Sequence, residues 1–223
     1  FVCAVTINIA LTSPFVHLSG MKVVNTLLLS SCIAFCSCAD YRPEFLFSGN
    51  RAPVIIDIQP FRGVDAAEYR ALYASLKKVY PSVQLKPPVE LPATAYYRPR
   101  NRYRADSLIN FLEQRTAKGH VTIGITHKDI STSKGKIIDW GVMGLGLCPG
   151  NACVVSGFRV SREEKAIQLY KVSIHELGHT FGLPHCSNKE CYMRDAEGGN
   201  PTHEEKDFCE SCKSKLKRAG WTL

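Results

Sequence analysis

The stretch HELGHTFGLPHCSNKECYM, residues 175–193, gathers three histidines, two glutamates and two cysteines, all groups that ligate metals or move protons. His175 and His179 are four apart, so on a helix they project from one face about a turn apart. Two imidazoles so placed can hold one Zn²⁺ at ~2.0–2.1 Å each. Glu176 sits roughly 100° around the helix, too far round to be a further ligand. It is placed instead to take a proton from a water that the metal has acidified, the general-base half of a hydrolysis. Gly182 permits a left-handed backbone, so the helix can end there and the chain can turn back to bring His185 to the same ion. Three neutral histidines leave a fourth position open, which marks a catalytic rather than a structural zinc.

His185 is followed at once by Cys186, and consecutive residues in a turn point in different directions. Cys186-x4-Cys191 and Cys209-x2-Cys212 have spacings suited to a tetrahedral thiolate zinc site. Four thiolates would fill all the positions of that second ion, leaving no room for a reacting water. Its work would be to staple a polar tail that could not otherwise fold. Two disulfides compete with this reading if the protein is exported. The expectation is two Zn²⁺ per chain, one catalytic and one structural.

HELGHTFGLPH carries the H-E-x-x-H-x-x-G-x-x-H pattern of the metzincin zinc peptidases. With CSNKECYM and the later CESC it resembles the archaemetzincin family, in which the third histidine is followed by a cysteine. That resemblance is dense over residues 175–212. It implies a metzincin-like α+β fold and zinc metallopeptidase activity, with His175, His179 and His185 on catalytic zinc and Glu176 as base. It also implies Cys186, Cys191, Cys209 and Cys212 on structural zinc, and Met193 as the methionine whose turn floors the site. Two features depart from the family pattern: an export signal, and an interval of only 15 residues between Met193 and Cys209.

Other elements must position these groups. β-Branched PVIIDIQPF (53–61) reads as a buried strand, and AAEYRALYASLKKVY (66–80) as an amphipathic helix. SVQLKPPVEL (82–91) reads as a Pro-marked strand near an edge, residues 105–117 as a helix and 120–130 as a strand. Residues 137–148 and 152–160 read as two further strands joined by a Pro-Gly-Asn turn. Ser161, with Glu164 three residues on, matches a capping box for a long helix ending at Gly182. A short basic helix, KSKLKRAG, closes the chain. The expected fold class is α+β: a twisted mixed sheet with packed helices, the long active-site helix, and a small irregular zinc-stapled C-terminal part. The expected divisions are 1–38, 39–50 as a tether, 51–183 and 184–223.

Of the 223 residues, 45% are hydrophobic and 22% charged, an ordinary globular balance. From Met21, MKVVNTLLLSSCIAFCSC reads as a secretory signal resembling that of bacterial lipoproteins, with Cys38 the lipid-carrying candidate. Its uncharged run, 23–39, is short and polar for a membrane span. The protein is therefore expected to be exported and anchored by lipid in a bacterial envelope, acting on peptide or protein substrates as a monomer. The net charge of +8 includes one lysine in that leader. A basic surface suits anionic headgroups or acidic substrates, and no motif points to nucleic acid as a partner. A zinc-binding lipoprotein without catalysis, a scaffold or metal carrier, is the alternative; it has no need of an acid at Glu176.

Weaker features have bland readings beside sharper ones. Cys148 and Cys153 bracket the Pro-Gly-Asn turn and could form a disulfide. His120, His127 and His203 read as core or surface histidines rather than ligands. Tyr192 could assist an oxyanion but more commonly such a ring packs. Arg98, Arg100, Arg102 and Arg104 read as a solvated loop, or as a site for acidic substrate residues. The strand at 152–160 could take up an extended substrate if it lies at a sheet edge.

Overall fold

The computed structural model describes residues 53–223; the signal-like stretch, Cys38 and the tether fall outside them. Among the described residues no helix is long and apolar enough to cross a membrane. Nine strands and four α-helices follow in the order β1 (Ile55–Pro60), α1 (Ala66–Val79), β2 (Val83–Leu85), β3 (Tyr96–Tyr97), β4 (Arg102–Arg104), α2 (Ala105–Glu113), β5 (His120–Thr126), β6 (Ile130–Lys134), β7 (Ile137–Val142), β8 (Gly144–Gly146), β9 (Ala152–Ser156), α3 (Lys165–Thr180) and α4 (Glu210–Arg218).

One sheet runs β2-β1-β5-β9-β8. Its first four strands are parallel and β8 is antiparallel to β9. Parallel strands need both faces covered, and helices supply the cover. Side chains alternate along β9, so Cys153 and Val155 join α1 and α3 while Ala152 and Val154 join α2. This alternation explains why residues 121–126 of β5 are all buried although only every second one faces a given helix layer. At Gly124 a Cβ would stand 2.7 Å from Leu112 Cδ1, so α2 lies close against the sheet there.

A second sheet, β3-β4-β6-β7, accounts for most departures from the sequence reading. The strand expected over 120–130 ends at Thr126, and Ile130 opens β6 in this other sheet. The single strand expected over 137–148 breaks at Met143 into β7, paired with β6, and β8, paired with β9. The arginine-rich stretch is not a solvated loop throughout. It holds β3 and β4, and the Arg102 side chain is only 11% exposed, with Nε 3.0 Å from Asp129 and an Nη 3.3 Å from Asp139. Arg104 binds Asp106 and Ser133. These partners tie the second sheet together and leave neither arginine free for an acidic substrate.

Three smaller corrections concern ends and cysteines. The long helix begins at Lys165, with Glu164 as its N-cap residue and no side-chain cap there. Ser161 turns to Glu163, while Gln168 binds Glu164 through Nε2 and accepts from the Ser161 amide. The capping-box spacing is therefore met in sequence but Gln168 takes over the tie. The closing helix starts three residues earlier than KSKLKRAG, directly after Cys209. Cys153 is a free thiol, so the candidate Cys148–Cys153 disulfide is not formed; Cys148 Sγ donates to the Leu183 carbonyl at 3.3 Å.

The tail is joined to the main core by aromatic rings. Trp221 lies 5.4 Å from Tyr80, 5.5 Å from Phe181 and 6.1 Å from Phe208, centroid to centroid. Lys171 of α3 donates to the carbonyls of Thr202 and Glu205, tying residues 202–205 to the same helix.

Candidate metal centres and active site

Helix α3 buries Leu169, Val172 and Leu177 in the α1 layer and brings His175 and His179 together on another of its faces. It stops in a Schellman arrangement. Gly182, at φ +83°, donates to the His179 carbonyl (2.8 Å), and Leu183 donates to the Gly178 carbonyl (2.9 Å). The positive φ is one that L side chains rarely adopt, which is why a glycine stands there. The reversal sends the chain back past the helix end, where Leu183 O accepts from His179 Nδ1 at 2.7 Å. Tyr192 O accepts from His175 Nδ1 at 2.6 Å.

A carbonyl can only accept, so each of these Nδ1 atoms carries the proton and each Nε2 presents a lone pair. The two Nε2 atoms face each other at 3.1 Å. A ligand nitrogen of His185 completes the set, all three lying within 4.8 Å of one another. Two lone pairs at that distance repel unless something positive lies between them. A tetrahedral zinc at ~2.0–2.1 Å from each would set them about 3.3 Å apart, so the donor set fits that ion. Burial and the neighbouring imidazoles push His175 down to about 3, and burial, with His185 beside it, takes His179 down to about 4. Both are neutral at physiological pH, the form that binds metal.

Glu176 is 7% exposed, and burial raises its carboxyl to about 8. A cation held by the adjacent histidines would bring it back down. Two glycines of β8 make room for it. A Cβ on Gly144 would meet Glu176 Cγ at 2.6 Å, and one on Gly146 would meet the Glu176 carbonyl at 2.7 Å. Sequence reasoning missed these residues, although a strand with glycines two apart is the signal of a close backbone approach on one face. The strand 152–160, offered as a possible substrate edge, is interior: β9 lies between β5 and β8. The edge on that side of the sheet is β8, directly over Glu176.

Met193 is fully buried beneath α3. A Cβ on Gly178 would collide with its Sδ and stand 3.2 Å from its Cε, so the helix and the methionine are in close contact between the two histidine turns.

The four tail cysteines converge separately, their Sγ atoms within 4.8 Å of one another. All four are free thiols, which removes the two-disulfide alternative. Cys186 and Cys209 Sγ are 3.7 Å apart. A bonded pair would be ~2.05 Å apart, whereas two thiolates on one tetrahedral zinc at ~2.3 Å stand about 3.8 Å apart. Cys191 Sγ accepts from the amides of Cys209 (3.3 Å) and Met193 (3.5 Å). Burial pushes the Cys191 and Cys212 thiols up. At Cys209 burial acts the same way but is outweighed by hydrogen bonds from the Cys212 amide and the neighbouring thiols, which bring it to about 7. The donor chemistry fits a thiolate-bound zinc. The two clusters share chain: residues 191–193 supply a thiol to one, and a carbonyl and the underlying methionine to the other.

The weaker candidates lie elsewhere. His120 pairs with Asp57 (3.0 Å), His127 with Glu68 (2.6 Å), and His203 is exposed. Tyr192 donates its hydroxyl to Lys206 O at 2.6 Å and packs edge-on to Phe208, so its ring serves packing.

Comparison with known proteins identifies the family and fold. The model of peptidase family M54 matches residues 55–218. The archaemetzincin of Haloquadratum walsbyi is 32% identical over 181 residues, covering 73% of this chain and 99% of that protein. Among solved structures, archaemetzincin from Archaeoglobus fulgidus is 31% identical with a TM-score of 0.62, covering 72% of this chain and 98% of that one. Archaemetzincin from Methanopyrus kandleri is 27% identical with a TM-score of 0.64, covering 75% and 95%.

Proposed function

The chain belongs to peptidase family M54 and is a zinc metallopeptidase, and from that premise we propose that His175, His179 and His185 hold its catalytic zinc while Glu176 is its general base. Bound there, zinc would supply a Lewis acid for the scissile carbonyl and would acidify a water. Glu176 would take a proton from the attacking water as general base. As the C–N bond breaks, the same carboxyl returns the proton to the leaving amine. The open edge of β8 is suited to hold an extended substrate backbone beside Glu176 by β-addition. Cys186, Cys191, Cys209 and Cys212 hold a second, structural zinc, giving two per chain.

The observation that carries the reading is the pair of Nδ1–H groups fixed by the Tyr192 and Leu183 carbonyls, which aim both Nε2 lone pairs at one point. Membership of a peptidase family and a buried acid beside that point speak for catalysis rather than metal carriage. Peptides or proteins are the substrates of a monomer, and the lipoprotein-like segment around Cys38 supports its tethering in a bacterial envelope.

His185→Ala should leave one zinc per chain instead of two and abolish peptide hydrolysis without unfolding the protein. Metal analysis and a peptide-library assay check this; two zincs retained at full activity would remove His185 from the site. Gly144→Ala forces a methyl group into the Glu176 side chain and should cost ~10²-fold in kcat, the order expected for a reacting group displaced by about 1 Å, with both zincs retained.

A further inference from the structure

Two of the three histidines are oriented by main-chain carbonyls, but the third is not. The partner at His185 is a side chain: Asp195 Oδ2 stands 3.4 Å from His185 Nδ1, within ion-pair reach. Asp195 is itself held. Its Oδ1 accepts from the Glu197 amide at 2.9 Å, in a turn where Glu197 (φ +48°) and Gly198 (φ +86°) are both left-handed and Gly199 donates to Ala196 O. Gly198 is seated on the indole of Trp140 in β7, where a Cβ would stand 2.6 Å from Cζ2. The turn thus presents one carboxylate oxygen to the backbone and the other to the imidazole.

We propose that Asp195 is a positioning residue, whose carboxylate fixes the ring orientation and tautomer of His185 so that Nε2 is offered to the metal. This rests on the reading of His185 as a zinc ligand and deepens it. His185 needs such a partner more than the other two do. It lies beyond the helix on the irregular chain and its side chain is 39% exposed; its ring contacts are with His175 and His179 (centroids 5.5 and 4.8 Å), which do not set its tautomer. A histidine whose far nitrogen lacks an acceptor can present N–H to the metal instead of a lone pair, and must give up that tautomer and its rotational freedom on binding. Losing a carboxylate partner of a metal-bound histidine typically costs 10–100-fold in metal affinity. The half-exposed position of this pair sets the expectation at the lower end, about tenfold.

The test compares full-length wild type, Asp195→Asn and Asp195→Ala, using zinc against a competing chelator and cobalt(II) as a spectroscopic probe. The d–d bands of cobalt at the histidines are distinct from the thiolate charge-transfer bands of cobalt at the cysteines, so the two sites are read separately. Asp195→Ala should bind zinc at the histidine site about tenfold more weakly, with altered d–d bands and unchanged cysteine bands. Asp195→Asn keeps an acceptor oxygen and should recover most of that affinity. Equal affinity and spectra in wild type and Asp195→Ala would overturn the inference, as would an Asn variant no better than Ala. A wild type that binds no metal at the histidines would overturn the catalytic-site reading itself, and that failure is visible before any variant is made.

Discussion

Replacing Cys212 with alanine is expected to remove one zinc per chain, lower the thermal unfolding midpoint steeply and abolish hydrolysis, although it touches no group that meets the substrate. Structural zinc contributes ~10–16 kcal/mol in small modules, comparable with the ~5–15 kcal/mol that holds a whole domain together. Residues 184–209 contain no α-helix and no strand longer than an isolated bridge, so besides scattered hydrogen bonds such as those of Lys171 and a few apolar side chains, it is the thiolate cluster that orders them. What they order is the active site. Cys186 pairs with Met193 through its amide, Met193 lies under α3, and the carbonyl of Tyr192 fixes the His175 ring. Loosening the tail would also withdraw Phe208, Leu216 and Trp221 from the core. Metal analysis, thermal unfolding followed by tryptophan fluorescence, and a peptide assay check these outcomes together. Two zincs and an unchanged midpoint in the variant would show that the four thiols are ordinary buried cysteines.

The second large effect is confined to chemistry. Glu176→Gln is nearly isosteric, so the close contacts with Gly144 and Gly146 are kept and both zincs should stay bound. An amide cannot accept the proton of the attacking water, and turnover should fall by ~10²–10⁴, the usual share of a general base. The loss should appear in kcat with KM little changed, because Glu176 works on the reacting water rather than on the substrate's binding. Measuring kcat and KM for variant and wild type at matched zinc content decides it. An unchanged kcat would take Glu176 out of the mechanism.

Much of the site could be read from local spacing. His175, His179, Gly182 and His185 are bound by helix geometry and a helix end, and both follow from short-range rules. The cysteines are legible as a candidate metal set because their pairs lie close in sequence, and the open choice between zinc and disulfides needs distances. The acceptors that orient His175 and His179 are carbonyls, which no residue type announces. Asp195 answers to no spacing rule, since its place beside His185 depends on a turn seated against Trp140 of a distant strand. The second sheet was hidden for a related reason. Its strands are short and carry polar residues such as Ser131 and Thr132, which are buried without an apolar alternation to mark them. Arg102 reads as solvated until Asp129 and Asp139, far along the chain, are brought to it. Gly144 and Gly146 are different: two glycines two apart in a strand already signal a close backbone approach on one face.

The central claim is that two ions sit a few residues apart along the chain, one among three imidazoles and one among four thiolates. Anomalous diffraction from crystals of the purified protein at the zinc absorption edge tests it most directly. The expected map has two peaks per chain, one within bonding distance of His175 Nε2, His179 Nε2 and His185, the other surrounded by the Sγ atoms of Cys186, Cys191, Cys209 and Cys212. A map with no peak at the histidines, or with a fourth side chain closing that ion's open position, would contradict the account.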